Sequence, residues 1–360
     1  MADDAWLKQP WMWPWLMAAQ MGRAGLDAAS AVLRPHEGAA PGDEPTWTTP
    51  AECLLDLPAM RLHRFSEGTG PPVLIVTPLA LHGPLVADLA PGHSLVERLV
   101  AEGVGEVALL SWPSATPERR GTGIDDHLAH LLVAVEELGG RVRLAGICQG
   151  GVLAMMFAAR YPEKVERLVC AGAPVDMEAG PSALTAAARA CPQQALEAMI
   201  EAGGGIVRGE AMLRFWQMGG LDALSGGLPA DILQSRSPPP DLLARFSEWN
   251  AWVVDLPGGY LRQVAGELFQ ANKLARGEFV ALGRRIALGD LRAPLLLLAG
   301  AADTVAPPAQ VFAAARLVGT PRGEVVKIRT GGGHLSLFMG SRTLSGPWRR
   351  IARWLKGQRA

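Results

Sequence analysis

Cys148 is the residue whose type and setting point most directly to chemistry, because it lies within the stretch Gly-Ile-Cys-Gln-Gly-Gly. An apolar run precedes this stretch, and a long apolar segment at residues 152–159 follows it. That setting is typical of a nucleophile elbow, a sharp strand-to-helix turn that lifts one side chain above a sheet. Small residues on both sides allow such a turn. Serine is the usual central residue, so cysteine here predicts thiol chemistry.

Two further residues complete a catalytic set in a particular chain order. Asp303 and His334 each follow a predicted strand, and ligands of α/β sheets bind beyond the carboxyl ends of the strands. The order nucleophile, acid, histidine is that of α/β-hydrolase triads. A free thiol has a pKa of about 8.5, so it needs an imidazole to raise its thiolate fraction, and the imidazole needs a carboxylate to fix its tautomer. We therefore predict Cys148 as nucleophile, His334 as base and Asp303 as acid.

Two backbone amides are expected to bind the oxyanion that forms when the nucleophile attacks a carbonyl. One is the amide of Gln149, directly after the nucleophile. The other is predicted in the loop after the first strong strand, at Leu79 or Ala80. His82 lies in the same loop, where a substrate contact and an ordinary loop histidine are both open interpretations.

The remaining cysteines and histidines carry weaker signals. Cys170 lies within a strand pattern and is predicted to belong to the core, whereas Cys53 and Cys191 have no motif around them. The absence of a Cys-x-x-Cys pair argues against zinc, and no metal site is predicted. His127 and His130 lie three residues apart on a predicted helix, where a solvated helix face is favoured over a metal site.

Composition excludes several classes of protein. The chain has 360 residues, of which 49% are hydrophobic and 19% charged, as expected for a compact globular protein. The net charge of −1 offers no basic face, so no nucleic-acid partner is predicted. No segment reaches the roughly 18 uninterrupted apolar residues of a membrane span. The acidic start and the unpatterned cysteines predict a reducing, cytoplasmic setting.

Apolar runs that alternate with helical patterns indicate a mostly parallel sheet. The predicted strands lie at residues 73–76, 107–112, 141–145, 165–171, 294–300 and 324–329. From about residue 175 to 290, Ala- and Leu-rich stretches alternate with Gly and Pro breakers, and no core strand is predicted. We therefore predict an α/β-hydrolase fold, with helices flanking the sheet and a helical cap insertion. The core is assigned to residues 53–174 and 291–360, and the cap to 175–290.

Residues 1–52 are assigned to a Trp-rich N-terminal segment and linker. Four of the eleven tryptophans are crowded into its beginning: Trp6, Trp11, Trp13 and Trp15. An amphipathic helix is predicted at residues 16–33. Indole rings favour apolar boundaries, so an anchor on an interfacial surface is one interpretation. A helix packed on the parent domain or at a dimer interface is the other, and it is favoured.

The elbow at residues 146–151 resembles that of polyhydroxyalkanoate synthases, which carry a cysteine in a lipase-like box. The resemblance covers roughly residues 70–340 and is less clear across 175–245. Similar segments occur before the elbow and inside the predicted cap, at residues 71–79, 88–91, 94–96, 110–112, 124–127, 256–260 and 272–274. The chain is identified as a member of this superfamily.

Intracellular polyhydroxyalkanoate depolymerases are related and also use a cysteine nucleophile. The pair Cys148-Gln149 and the loop at residues 333–340 resemble the depolymerases, as do residues 255–257 and 268–270. The pair Gly150-Gly151 resembles the synthases, because depolymerases tend to carry proline there. Both directions of the chemistry therefore stay open, with the synthase preferred.

The resemblance implies a function for each predicted residue. In a synthase-like acyltransferase, Cys148 takes a 3-hydroxyacyl group from its CoA thioester, and His334 deprotonates the thiol and then the acceptor hydroxyl. In that family the acid is also proposed to assist the hydroxyl, so Asp303 could do more than orient His334. CoA is then a substrate, and no cofactor is expected.

Two other functions are weighed against this one. A depolymerase-like hydrolase or thiolyser would use the same triad, whereas a non-catalytic granule-associated protein would not need it. The expected partners of the enzyme are 3-hydroxyacyl-CoA, a polyester chain, a hydrophobic granule surface, and a second copy or a partner subunit.

Overall fold

The computed structural model describes residues 44–218 and 240–359. The predicted N-terminal helix and its tryptophans lie outside these residues. The described strands are β1 (Glu52–Leu57), β2 (Met60–Ser66), β3 (Val73–Val76), β4 (Val107–Ser111), β5 (Val142–Ile147), β6 (Val165–Ala171), β7 (Ile206–Val207), β8 (Leu256–Pro257), β9 (Val280–Ala281), β10 (Arg284–Arg285), β11 (Leu295–Gly300) and β12 (Val325–Thr330).

The described α-helices flank these strands. They are α1 (Leu95–Ala101), α2 (Ile124–Glu137), α3 (Gln149–Arg160), α4 (Ala183–Ala190), α5 (Gln193–Ala202), α6 (Gly209–Met218), α7 (Pro240–Ala251), α8 (Gly258–Arg262), α9 (Pro308–Phe312), α10 (Ala314–Leu317), α11 (Ser336–Met339), α12 (Ser341–Ser345) and α13 (Pro347–Leu355). A π-helix, Gln263–Gln270, continues α8.

Eight of these strands form one sheet in the order β1-β2-β4-β3-β5-β6-β11-β12. The pairs β1/β2 and β2/β4 are antiparallel, and every other neighbouring pair is parallel. The central strands are buried on both faces, which explains why their sequences are continuous apolar runs. The predicted mostly parallel sheet flanked by helices is confirmed. Strand β5 ends at Ile147, two residues later than predicted, so Cys148 directly follows the strand.

Between β6 and β11 the described chain is mainly helical and covers the carboxyl ends of the strands. It contains α4 to α8, the π-helix and two short strand pairs, β7/β8 and β9/β10, which stay outside the main sheet. The described helices do not combine the length and apolarity that a bilayer span requires.

This insertion packs directly on the loop that follows β3. The indole of Trp249 donates a hydrogen bond to the carbonyl of Gly83 at 3.2 Å, and the amide of Val254 donates to the carbonyl of Leu81 at 2.9 Å. Gly83 has no room for a Cβ, because the ring of Trp252 would lie 1.7 Å from it. The insertion therefore fixes the loop that carries Leu79 and Ala80.

Candidate active site

Cys148 stands at a strained turn between β5 and α3. Its φ of 51° and ψ of −127° lie in a region that L-residues rarely adopt, at a typical cost of about 1–3 kcal/mol. The turn is held on both sides, because the Cys148 amide donates to the carbonyl of Ala171 at 2.8 Å and its carbonyl accepts from Gly151 at 3.0 Å. This is the geometry of a nucleophile elbow, as the sequence predicted.

The glycines of the elbow are required by close packing. A Cβ at Gly150 would lie 2.1 Å from the carbonyl oxygen of Val76, and one at Gly146 would lie 2.4 Å from the Cα of Gly151. A Cβ at Gly151 would lie 2.6 Å from the Cβ of Ala173. The start of α3 is therefore pressed against the sheet, which leaves the thiol at the end of β5.

Asp303 and His334 form a buried hydrogen-bonded pair. Nδ1 of His334 donates to Oδ2 of Asp303 at 2.7 Å, and the two residues are 3% and 4% exposed. The other carboxylate oxygen, Oδ1, accepts from the amides of Val305 and Ala306 at 2.9 and 2.8 Å. Because a carboxylate only accepts, Nδ1 carries a proton in both the neutral and the charged imidazole, and Nε2 is the nitrogen that gains or loses one. In its neutral form the histidine is thus held as the tautomer whose Nε2 can accept a proton.

Burial and neighbouring charges act on the pKa of His334 in opposite directions. Burial lowers its pKa, but the carboxylate of Asp303 and the side chain of Cys148 outweigh burial and raise the pKa well above its ordinary value. Nε2 of His334 is buried and has no hydrogen-bond partner among the described residues. An imidazole that gains a proton easily is suited to accept one from a neighbouring thiol. The structure thus brings the three predicted catalytic side chains together.

The ring of His334 is fixed by its neighbours. It packs edge-on against Phe338, with ring centroids 5.3 Å apart. Gly172, at φ +58°, passes beside it, and a Cβ there would lie 3.1 Å from Cε1 of His334. The imidazole is consequently held in one orientation by packing as well as by the carboxylate.

The predicted oxyanion residues line the same cavity as the thiol: Leu79, Ala80 and Gln149. The amide of Gln149 is the first of helix α3, where no intrahelical acceptor exists. The amides of Leu79 and Ala80 donate no hydrogen bond to any described residue. These amides are therefore available to a ligand on the Cys148 side of the loop.

Two cavities meet at Cys148. The larger has a volume of about 1050 Å³ including its opening to solvent, and its wall is mostly apolar, with side chains from α4, α5, α6 and the π-helix among those that line it. The smaller, of about 430 Å³, is lined by His82, Trp249, His334 and Phe338 among others. Cys148 is thus common to the walls of both cavities.

His82 lies in the wall of the smaller cavity. Its side chain is buried, and its ring lies 4.5 Å from that of Trp249, measured between centroids. The structure therefore places this residue beside the thiol and the base, and its contact with substrate stays a prediction. The sequence did not predict that Trp249 lines this cavity, because its position depends on how the insertion folds over the loop after β3.

The other free cysteines lie in different settings. Cys170 is buried in β6, as predicted for a core residue, and burial raises the pKa of its thiol. Burial also raises the pKa of Cys191 to about 11, and Cys191 lines the larger cavity, which its sequence did not indicate. Cys53 is exposed on β1.

The prediction that His127 and His130 share a solvated helix face was wrong for His127. His127 is buried, and its ring packs against Trp112 and Tyr260 at 4.7 and 4.6 Å. Its Nδ1 lies 2.6 Å from the carbonyl of Gly123. The helix faces the insertion at this point, so a polar residue became part of an aromatic cluster. His130 is half-buried.

Comparison with known proteins agrees with this geometry. Residues 110–340 match the family of the alpha/beta hydrolase fold. A monoacylglycerol lipase from Paleococcus ferrophilus superposes with a TM-score of 0.53 at 20% identity, covering 83% of this chain and 98% of its own. The chain belongs to the α/β-hydrolase fold family.

Two curated relatives place the chain more narrowly. A poly(3-hydroxyalkanoate) polymerase subunit PhaC from Synechocystis sp. is 30% identical over 74% of this chain and 73% of its own. The subunit of the same name from Allochromatium vinosum is 25% identical over 86% and 89%. Within the α/β hydrolases, the chain belongs to the polyhydroxyalkanoate synthase superfamily.

Proposed function

We propose that this protein is a polyhydroxyalkanoate synthase-like acyltransferase, which moves 3-hydroxyacyl groups from CoA thioesters to a polyester chain. One observation carries the proposal: cysteine, in place of serine, stands at the elbow beside a buried His–Asp pair and a large apolar cavity. Cysteine forms a thioester acyl-enzyme, and exchange between two thioesters changes the free energy little. The later transfer to a hydroxyl makes an ester and is downhill.

Acylation begins with proton transfer from the thiol of Cys148 to Nε2 of His334. The sulfur then attacks the thioester carbonyl of 3-hydroxyacyl-CoA, and the amides of Gln149 and of Leu79 or Ala80 bind the oxyanion. Collapse of this intermediate breaks the bond to the CoA sulfur, which takes the proton from the imidazolium. CoA enters as substrate and leaves as a thiol, so the proposal requires no bound cofactor.

Transfer uses the same groups in the second half of the cycle. Nε2 of His334 takes the proton of an acceptor hydroxyl, whose oxygen attacks the acyl-cysteine. An ester bond forms, the carbon–sulfur bond breaks, and the proton returns to the sulfur of Cys148. His334 thus acts as base and acid in both halves.

Asp303 orients and charges the imidazole in this scheme. Both of its oxygens already accept hydrogen bonds, from His334 and from two amides. Asp303 lines neither of the two cavities. These contacts favour an orienting function over direct deprotonation of the acceptor hydroxyl.

A depolymerase-like hydrolase or thiolyser is the second candidate, and the resemblance of the loop at residues 333–340 favours it. The same triad would attack a polymer ester, and water or CoA would resolve the thioester. Both activities would operate at the surface of a hydrophobic polyester granule. They differ in the acceptor that takes the acyl group from Cys148: a polymer hydroxyl in the synthase, and water or CoA in the depolymerase.

Two incubations of the purified protein distinguish the candidates. With 3-hydroxybutyryl-CoA, the proposal predicts CoA release together with polymer growth, both measured by chromatography. With native granules, the second candidate predicts soluble hydroxyacids or acyl-CoA instead. Absence of both activities would leave the non-catalytic granule protein as the explanation.

Cysteine variants test the nucleophile in the same assays. We expect Cys148→Ala to lose activity about a thousandfold or more, because a triad member that forms the covalent bond has no substitute. Cys53→Ala is the matched control, since Cys53 is free and exposed on β1. Activity retained in Cys148→Ala would show that the nucleophile is misassigned.

A further inference from the structure

Tyr260 carries a buried hydroxyl that the fold does not use. The residue is 1% exposed, and its hydroxyl has no hydrogen-bond partner among the described residues. Burying an unpaired polar group is costly, and almost all buried hydroxyls in proteins are hydrogen bonded. Such a group calls for an explanation outside the stability of the fold.

The ring of Tyr260 is held rigidly. It packs on His127, which packs on Trp112, with successive ring centroids 4.6 and 4.7 Å apart. The indole of Trp112 donates to the carbonyl of Thr77 at 2.9 Å, directly before the loop that carries the oxyanion amides. Strand β8 and helix α8 bring Tyr260 to this cluster. Its hydroxyl is therefore fixed relative to the reaction site.

Tyr260 lines the larger cavity, which Cys148 also lines. Among the described residues that line this cavity, only Gln149 and Tyr260 have oxygen or nitrogen in their side chains. Oε1 of Gln149 is likewise buried without a partner. Burial, and next the nearby Cys148, raise the pKa of Tyr260, so the phenol stays protonated and can donate.

A 3-hydroxyacyl group needs one such partner. Its carbonyl oxygen is bound by the oxyanion amides, and its chain is matched by the apolar wall. Its 3-oxygen is left to enter the cavity, where an unpaired oxygen would lose its bonds to water. A hydroxyl there can accept from a phenol and donate to an amide oxygen.

We propose that the hydroxyl of Tyr260 donates a hydrogen bond to the 3-oxygen of the acyl group and thereby selects 3-hydroxyacyl over unsubstituted acyl substrates. Oε1 of Gln149 accepts from the 3-hydroxyl when the acyl group is a single unit. In a polyester the 3-oxygen belongs to an ester and only accepts, which the phenol of Tyr260 still satisfies. The inference rests on the proposed function, because it takes Cys148 as the group that is acylated.

The test compares two substrates that differ only in the 3-oxygen. Single-turnover acylation is measured as CoA release from 3-hydroxybutyryl-CoA and from butyryl-CoA. For Tyr260→Phe we expect the preference for the hydroxy substrate to fall by about 10- to 100-fold, the effect of one hydrogen bond in a buried site. The matched control is Tyr161→Phe, which alters the other of the chain's two tyrosines, packed against Phe157.

Thermal unfolding separates recognition from folding. Tyr260→Phe removes an unpaired hydroxyl, so its Tm should equal or exceed that of the wild type. A fall in Tm together with an equal fall in the acylation rates of both substrates would overturn the inference. The phenol would then stabilise the fold or contact the carbonyl, and would not recognise the 3-oxygen. An unchanged preference would also overturn it.

A second substrate pair keeps this result independent of CoA. The esters p-nitrophenyl 3-hydroxybutyrate and p-nitrophenyl butyrate acylate a reactive thiol with a coloured leaving group. If wild-type protein releases no CoA but Tyr260→Phe loses the preference within the ester pair, the proposed function fails and the inference stands. If CoA is released and the preference is unchanged in both pairs, the inference fails alone.

Discussion

The contact between His334 and Asp303 makes a quantitative prediction for Asp303→Asn. Oδ1 of an asparagine would keep the hydrogen bonds from the amides of Val305 and Ala306. Its NH₂ group would then face Nδ1 of His334 at 2.7 Å, so donor would meet donor. The imidazole relieves this conflict by moving its proton to Nε2. A proton on Nε2 prevents His334 from taking the proton of the thiol.

The expected loss of activity follows from this tautomer change. A carboxylate-to-amide change at this position of a triad typically costs about 10³- to 10⁴-fold in rate, or about 4 to 5.5 kcal/mol at 1.36 kcal/mol per tenfold. The variant should still fold, because the backbone hydrogen bonds of the turn are kept. The carboxylate charge of Asp303, which raises the pKa of His334, is lost while burial, which lowers that pKa, remains. The pKa of the imidazole should therefore fall in the variant.

Two assays on Asp303→Asn check this reasoning. Acylation by 3-hydroxybutyryl-CoA should fall as calculated, and alkylation of Cys148 by iodoacetamide at pH 7 should slow in parallel. Peptide mapping distinguishes Cys148 from the exposed Cys53. Wild-type alkylation and acylation rates in the variant would refute the assignment of Asp303 as the partner of His334.

Two further predictions concern stability. Gly150→Ala should lower the free energy of unfolding by about 3 kcal/mol or more, since its Cβ would lie 2.1 Å from a carbonyl oxygen. Gly266→Ala is the control and should not lower it, because a Cβ there meets no neighbouring atom within 4 Å. Equal urea midpoints for the two variants would contradict this prediction. The pKa of His127, lowered mainly by burial to about 4 from 6.5, implies stability that is full above pH 6.5 and lost by about 3 kcal/mol as pH falls to 4. Urea unfolding at pH 7 and 4.5 should show this loss in wild type and a smaller loss in His127→Gln. The comparison cancels the opposite contribution of His334, which both proteins share. Equal losses in the two proteins would contradict the prediction.

Local patterns in the sequence were sufficient for the six parallel strands of the sheet and for the grouping of Cys148, Asp303 and His334, whereas the antiparallel strands β1 and β2 were not predicted. The runs at β3, β4 and β11 are apolar because both faces of a central parallel strand are buried, and this property is visible in any single segment. Cys148 and Asp303 could be predicted because each follows a mostly buried strand, and His334 because it follows the edge strand β12. Parallel strands put their carboxyl ends at one edge, so order along the chain implied proximity in space.

The insertion could not be deduced in the same way. Its segments bury side chains against partners far away in the sequence, and no short-range period records which partners these are. His127 was expected in solvent because its helix was considered without the chain that covers it. Trp249 and Cys191 entered the cavity walls for the same reason.

The sequence by itself determined that a cysteine would replace serine at an elbow and that a histidine and an aspartate would meet it, because these positions follow from local turns and strand ends. Only the tertiary structure decided what surrounds the thiol: two cavities, a loop at Leu79 and Ala80 that the insertion holds in place, and the cavity residue Tyr260 with its unpaired hydroxyl. Those features arise where the insertion closes over the sheet, and burial and pairing there depend on contacts that exist only in the folded chain.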